Sequence, residues 1–202
     1  MRWLGAEPPN LNEVRQALGR IERDGDRAGA VVGRIRALIK KALPRDERVE
    51  IDSAIREVIE LTQSEAMKNG VLVQTELAEG LPLVSGDRVE LQQVMLNLIL
   101  NALDAMSATS DGPRELLVSA RTTETADALV AVRDSGPGLA PDALDVFKAF
   151  HTTKPNGLGL GLSICRSIIE SHGGQLWASA NSPRGAVFQF TLPAHPDVGS
   201  RE

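Results

Sequence analysis

A chain of 202 residues, 42% of them hydrophobic, can bury one good core, or a core and a smaller helical element. Its 22 Lys and Arg against 27 Asp and Glu leave a net charge of −5, with no basic stripe interleaved with aromatics, which argues against nucleic acid as a partner. No stretch is long and apolar enough to span a bilayer, no signal-peptide pattern opens the chain, and the lone Cys165, in the apolar run "LSICRSII", cannot form an internal disulfide. These features lead us to expect a soluble, cytoplasmic protein with no membrane contact of its own, any membrane anchor lying upstream.

Between Asn12 and Ala42, small or apolar residues recur at Val14, Leu18, Ile21, Gly25, Ala28, Val32, Ile35 and Ile39, in alternating steps of four and three. That heptad seam, flanked by Arg and Glu, predicts a long helix that needs a partner helix. "GAEPPNLNE" before it reads as a tight connection capped by Asn10 or Asn12, and "MRWL" as the tail of a preceding helix. "LPRDERVE", with Pro44 and a cluster of charge, reads as a linker. Beyond it the pattern predicts a helix over 53–69, a strand near 71–77, a helix over 87–106, strands near 115–122 and 128–134, a helix ending about Ser171, and strands near 175–180 and 186–192. Strands and helices mix without a regular βαβ rhythm. The fold class is therefore α/β (α+β), a sandwich with a mostly antiparallel sheet.

The helix "DRVELQQVMLNLILNALDAM" opens with an acidic capping residue, Asp87, and with Glu90 three positions on. Apolar side chains then wrap almost its whole circumference, so it must be largely buried. Yet Gln93, Asn97, Asn101 and Asp104 fall three and four apart on one narrow line. A buried amide without a partner costs about 1–3 kcal/mol, so this line should face a polar ligand, water or a backbone. Carboxamide oxygens are hard donors that suit Mg²⁺ while leaving room for water and phosphate.

"LVAVRDSGPGL" runs a strand into Asp134, followed by Gly136 and Gly138. A carboxylate fixed at a strand end can accept from an exocyclic amine, and the glycines allow a sharp bend beneath a flat base. "KPNGLGLGLSI" sets Gly157, Gly159 and Gly161 at alternate positions ahead of an apolar helix, where unpaired N–H groups and the positive dipole end favour an anion. It is not a P-loop, because Gly161 is followed by Leu162 and Ser163. It is not a dinucleotide fingerprint either, because "FKAFHTTKPN" before it is no strand.

At these residues the chain resembles the sensor histidine kinases. "LNLILNALDAM" is similar to their N box, "DSGPGL" to the first glycine box, "FKAFHTTK" to the F box and "GLGLGLSI" to the second glycine box, in the family's order, with "GAVFQFTLP" similar to the closing strand. The resemblance implies a two-layer sandwich of the GHKL type with helices on one face of the sheet, at 46–197, and a tail at 198–202. Residues 1–45 resemble part of the helical hairpin that dimerises and carries the phosphoacceptor. The cofactors implied are ATP and Mg²⁺, with Asn101 as the metal ligand and Asn97 one turn earlier. Asp134 would read the adenine amine, and Ala105, Gly136, Gly138 and Leu139 would line the base pocket. Gly157, Gly159 and Gly161 would close over the phosphates, with backbone N–H groups from Leu158, Leu160 and Leu162 and the charge of Lys154. Phe147 and Phe150 would anchor this lid. Leu158, where the family often has threonine, and His151, where an aromatic is common, are departures expected to alter lid stability rather than binding.

Related ATPases place a glutamate one turn before the magnesium asparagine to activate water. Here that position is Asn97, and a carboxamide is no useful base near neutral pH. Phosphoryl transfer needs mainly positioning and charge stabilisation, with Asn97 and Lys154 as its catalytic residues and an outside nucleophile. The expected nucleophile is a neutral imidazole on the bundle helix. The histidines present are His151, His172 and His195, and none lies on the heptad helix; His172 reads as a helix-end residue at the dipole. The phosphoacceptor is therefore expected upstream, in a homodimer built through the heptad helix, with a response-regulator receiver domain as the next partner. The alternatives are a GHKL serine kinase and a nucleotide-binding or dimerising module without kinase activity.

Overall fold

The computed structural model describes residues 47–107, 112–139, 146–148 and 159–196, all of which fall in a compact unit from Pro44 to Glu202. The heptad stretch over 12–42 lies outside the described residues, as do Phe150, His151, Lys154, Gly157, Leu158 and the tail.

Five strands form one sheet in the order β2 (Leu72–Leu77), β4 (Glu115–Thr122), β5 (Ala128–Asp134), β7 (Ala186–Leu192), β6 (Gln175–Ala180). The β2–β4 pair is parallel and the other pairs are antiparallel. Alternation along each strand sends Leu116, Val118 and Ala120, Val130 and Val132, and Phe188, Phe190 and Leu192 to one buried face. Register locks these together, since Val118 faces Val132 and Val132 faces Phe188; a slip of one residue would turn that whole row to the other face.

Three helices cover that face. In α1 (Ile51–Lys68), the stripe Ile51, Ala54, Ile55, Val58, Thr62 and Ala66 is buried, and Thr62 satisfies its hydroxyl on the Val58 carbonyl at 2.9 Å. The helix ends at Asn69 and at Gly70 (φ +64°), where the N–H groups of Gly70 and Val71 close back onto Met67 and Ala66. α2 (Arg88–Ser107) lies against both α1 and α3 (Gly161–Ser171) and packs on β5. Burial of Leu91, Val94, Met95, Leu98, Ile99, Ala102, Leu103 and Met106 explains its nearly continuous apolar surface, although Leu100 is 38% exposed. Cys165 is fully buried on α3, as expected of a small core residue.

Two short strands depart from the expected pattern. Glu47–Val49 (β1), inside the stretch read as a linker, pairs antiparallel with Val84–Gly86 (β3). Val49 and Val84, which face each other, are buried at 2% and 0% exposure, and three residues carry too few alternations to reveal a strand.

Candidate functional site

Gln93, Asn97 and Asn101 of the line predicted on α2 share one half-buried face with Ala105, and that face meets two other elements. Each of these four is followed by a buried residue, Val94, Leu98, Ala102 and Met106 in turn. A Cβ on Gly161, at the start of α3, would lie 3.9 Å from Asn97 Oδ1. A Cβ on Gly136, in the bend after β5, would lie 3.5 Å from the Cβ of Ala105. The eight steps from Asn97 to Ala105 span about 12 Å of helix, so this face of α2 bridges the N-terminus of α3 and the end of β5. Asp104, although in line with Asn97 by helical spacing, is exposed. The bend after β5 covers the neighbouring side of the helix, where Ala105 sits.

Asp134 closes β5 and is 3% exposed. Its Oδ1 accepts from the backbone N–H of Gly136 at 2.8 Å and of Ala186 at 3.2 Å. Burial pushes the carboxyl above the ordinary carboxylate value, and the two backbone hydrogen bonds pull it partly back. Gly136 is required here because a Cβ would crowd Oδ1 at 2.9 Å. Gly138 (φ +89°) lets the chain turn beside the Gly185 carbonyl, and Leu139 packs on the core edge.

At the other end, Gly159 adopts φ +63° and Leu160 precedes α3 without any side-chain cap. The N–H groups of the first turn are therefore directed out of the helix with no capping side chain over them. Gly161 and Leu162 are half-buried, Gly161 beside Asn97. Phe147 is buried, sits edge-on to Phe188 with ring centroids 6.2 Å apart, and carries the Arg166 guanidinium 4.1 Å above its ring. Arg166 had no sequence signal, since one arginine on a helix surface looks like any other. The same holds for Ala186, whose contribution is a backbone N–H, and for Gly185 (φ +104°), where a Cβ would overlap the Asp134 carbonyl.

His172 does more than meet a helix dipole. It is buried, its Nδ1 bonds the Ile168 carbonyl at 2.7 Å, and its Nε2 accepts from the backbone N–H of Asp87 at 3.0 Å. Asp87 caps α2 as expected, with Oδ1 2.9 Å from the Val89 nitrogen. Its own N–H, which a capping box would give to Glu90, goes to the imidazole instead. His195 is distant from this line, holding the Leu83 carbonyl through its backbone N–H.

A family model described as histidine kinase-, DNA gyrase B-, and HSP90-like ATPase matches residues 86–196, which contain every described site residue. The sensor protein FixL of Bradyrhizobium diazoefficiens is 41% identical over 194 residues, 94% of this chain and 37% of that protein. Full-length histidine kinase ShkA in complex with AMPPNP superposes with a TM-score of 0.74 at 27% identity, over 90% of this chain and 39% of that one. Histidine kinase ThkA in complex with the response regulator protein TrrA gives a TM-score of 0.73 at 28% identity, over 96% of this chain and 55% of that one. The chain spans between 20% and 41% of the length of the curated relatives it matches. Matched across the α2 line, the Asp134 bend and the start of α3, the chain belongs to the histidine kinase-, DNA gyrase B-, and HSP90-like ATPase family, as a sensor histidine kinase catalytic domain.

Proposed function

We propose that this chain binds Mg²⁺-ATP along α2 and transfers the γ-phosphoryl group to a histidine on a dimerising helical hairpin, for relay to the aspartate of a response-regulator receiver domain. One observation carries the reading: a single face of α2 joins a carboxylate suited to a purine amine to a helix N-terminus suited to phosphate, with two carboxamides between. Asp134 Oδ2 accepts from the adenine amine, over a floor of Ala105, Gly136, Gly138 and Leu139. Asn97 and Asn101 face the phosphates, which Gly159, Leu160, Gly161 and Leu162 meet from the start of α3. Lys154, Gly157 and Leu158 complete the phosphate contacts.

Among the described residues no group of three His, Cys, Asp or Glu could hold a metal by itself. The carboxamide oxygens of Asn97 and Asn101 are hard donors that fit Mg²⁺, which keeps its waters and binds through one or two protein oxygens together with substrate phosphates. Asn101 is its protein ligand, and the ion neutralises charge between the phosphates when bound. Asn97 positions and does not abstract a proton, so water is poorly activated and an imidazole is the better nucleophile. His172 cannot be that acceptor, because both of its ring nitrogens are already bonded. The acceptor histidine is assigned to the hairpin, to which residues 1–45 contribute the dimerising helix that precedes the catalytic domain at 46–197, with 198–202 as a tail. The AMPPNP complex of ShkA and the regulator complex of ThkA support the same nucleotide and partner classes for this chain.

The experiment mixes the chain with Mg²⁺-ATP and a separate hairpin carrying the histidine. Acid-labile phosphate on the imidazole is expected. Phosphate on serine would indicate a serine kinase, and tight binding without transfer would indicate a nucleotide-binding or dimerising module.

A further inference from the structure

The ladder between β5 and β7 stops one residue short of Asp134, at the pair Arg133 and Val187. Past that point the two strands are held together by side-chain chemistry. The Ala186 N–H turns to the Asp134 carboxylate, and the Asp134 backbone carbonyl accepts from Nδ2 of Asn181 at 2.9 Å. Asn181 is itself fixed: its N–H donates to the Gly185 carbonyl at 2.9 Å, and its Oδ1 accepts from the Ser182 N–H at 2.9 Å. Gly185 presses its backbone against the Asp134 carbonyl, at a place where any side chain would overlap. The tip of the β6–β7 hairpin is thus a clamp on the peptide that follows the carboxylate. If that peptide rotates, Oδ1 loses one of its two backbone donors and Oδ2 changes direction.

We propose that Asn181 is a positioning residue for base selection: by holding the Asp134 carbonyl, its carboxamide aims the carboxylate at the 6-amino group of a bound purine nucleotide. The inference rests on the role assigned to Asp134 above. Asn181 touches neither the base nor the phosphates in this account. Its effect reaches the ligand only through the Asp134 carboxylate, and so only through the amine that the carboxylate reads. Asparagine suits the task because it donates to a carbonyl while accepting from its own loop; aspartate has the same shape and cannot donate.

The test compares affinities for ATP and for purine riboside triphosphate, which lacks the amine, by calorimetry on the whole chain. The unaltered chain is expected to favour ATP by about tenfold, the worth of one well-placed hydrogen bond to a charged group. In Asn181→Ala and Asn181→Asp, that preference is expected to fall to about twofold or less, with affinity for the amine-free nucleotide unchanged. Should Asn181→Ala fail to fold, Asn181→Ser, with a hydroxyl too short to reach, gives the same comparison. If the variants weaken both nucleotides equally and keep the preference, Asn181 is merely structural and the proposal is overturned. If the unaltered chain does not distinguish the two nucleotides, the role of Asp134 falls, and the proposal with it.

Discussion

The backbone N–H of Asp87 donates to Nε2 of His172 across 85 positions of sequence, tying the start of α2 to the end of α3. Because Nε2 accepts, the ring proton sits on Nδ1, where it is donated to the Ile168 carbonyl. Gly86 completes the joint, since a Cβ there would overlap the imidazole. One ring thus satisfies a donor left over from one helix cap while anchored to a carbonyl in the last turn of the other helix. The two helices joined in this way are the ones that carry Asn97 and Gly161, which meet at the start of α3.

His172→Ala should therefore lower the unfolding free energy by about 2–4 kcal/mol, from two lost hydrogen bonds, one orphaned N–H and a cavity. Urea denaturation measures it. A loss under about 0.5 kcal/mol, the range of ordinary surface changes, would show the joint to be idle.

Asn101→Ala should leave the fold intact, because the side chain is only half-buried. Affinity for Mg²⁺-ATP should fall by about 100-fold or more, roughly 3 kcal/mol. With EDTA present the variant and the unaltered chain should bind ATP alike. Undiminished binding of Mg²⁺-ATP by calorimetry removes Asn101 from the metal role.

Asp134 sets stability against function. Its folded-state pKa lies above the ordinary carboxylate value, so the fold favours the protonated acid. That contribution to stability is fully present below the unfolded-state pKa and is lost as pH rises through the folded one. Asp134→Asn, which removes the desolvated charge, should consequently melt at the same temperature or higher at neutral pH, while losing preference for ATP over GTP. In the unaltered chain, ATP affinity should decline with falling pH sooner than an exposed carboxylate would allow. A variant that melts lower, or that still selects ATP, contradicts this account.

Removal of residues 1–45 should yield a monomer that still binds nucleotide. Sedimentation of both chains checks it, and an unchanged association state would contradict the dimerising role of the heptad helix.

Much of this was legible in one dimension. The α2 pattern showed that a mostly apolar helix carries amides on one line, because helical period is local and a buried amide is costly whatever surrounds it. Asp134 and the glycines around it were visible for a similar reason: a strand running into a carboxylate and a bend needs only its own neighbours to be recognised. The five sheet strands followed from alternation. The strands Glu47–Val49 and Val84–Gly86 did not, being too short for any period, and nothing in "LPRDERVE" could show that Val49 would find Val84.

The amino-acid sequence by itself determined which chemistry is present, carboxamides, a carboxylate and glycines, since residue type and spacing are local properties. Only the tertiary structure decided how those groups are held: His172 on the cap of α2, Arg166 on Phe147, and Asn181 and Gly185 on the Asp134 carbonyl. Each of those contacts joins residues 19 to 85 positions apart through a backbone group or a ring face. Backbone groups are the same at every position, so no residue type announces which one a distant side chain will meet.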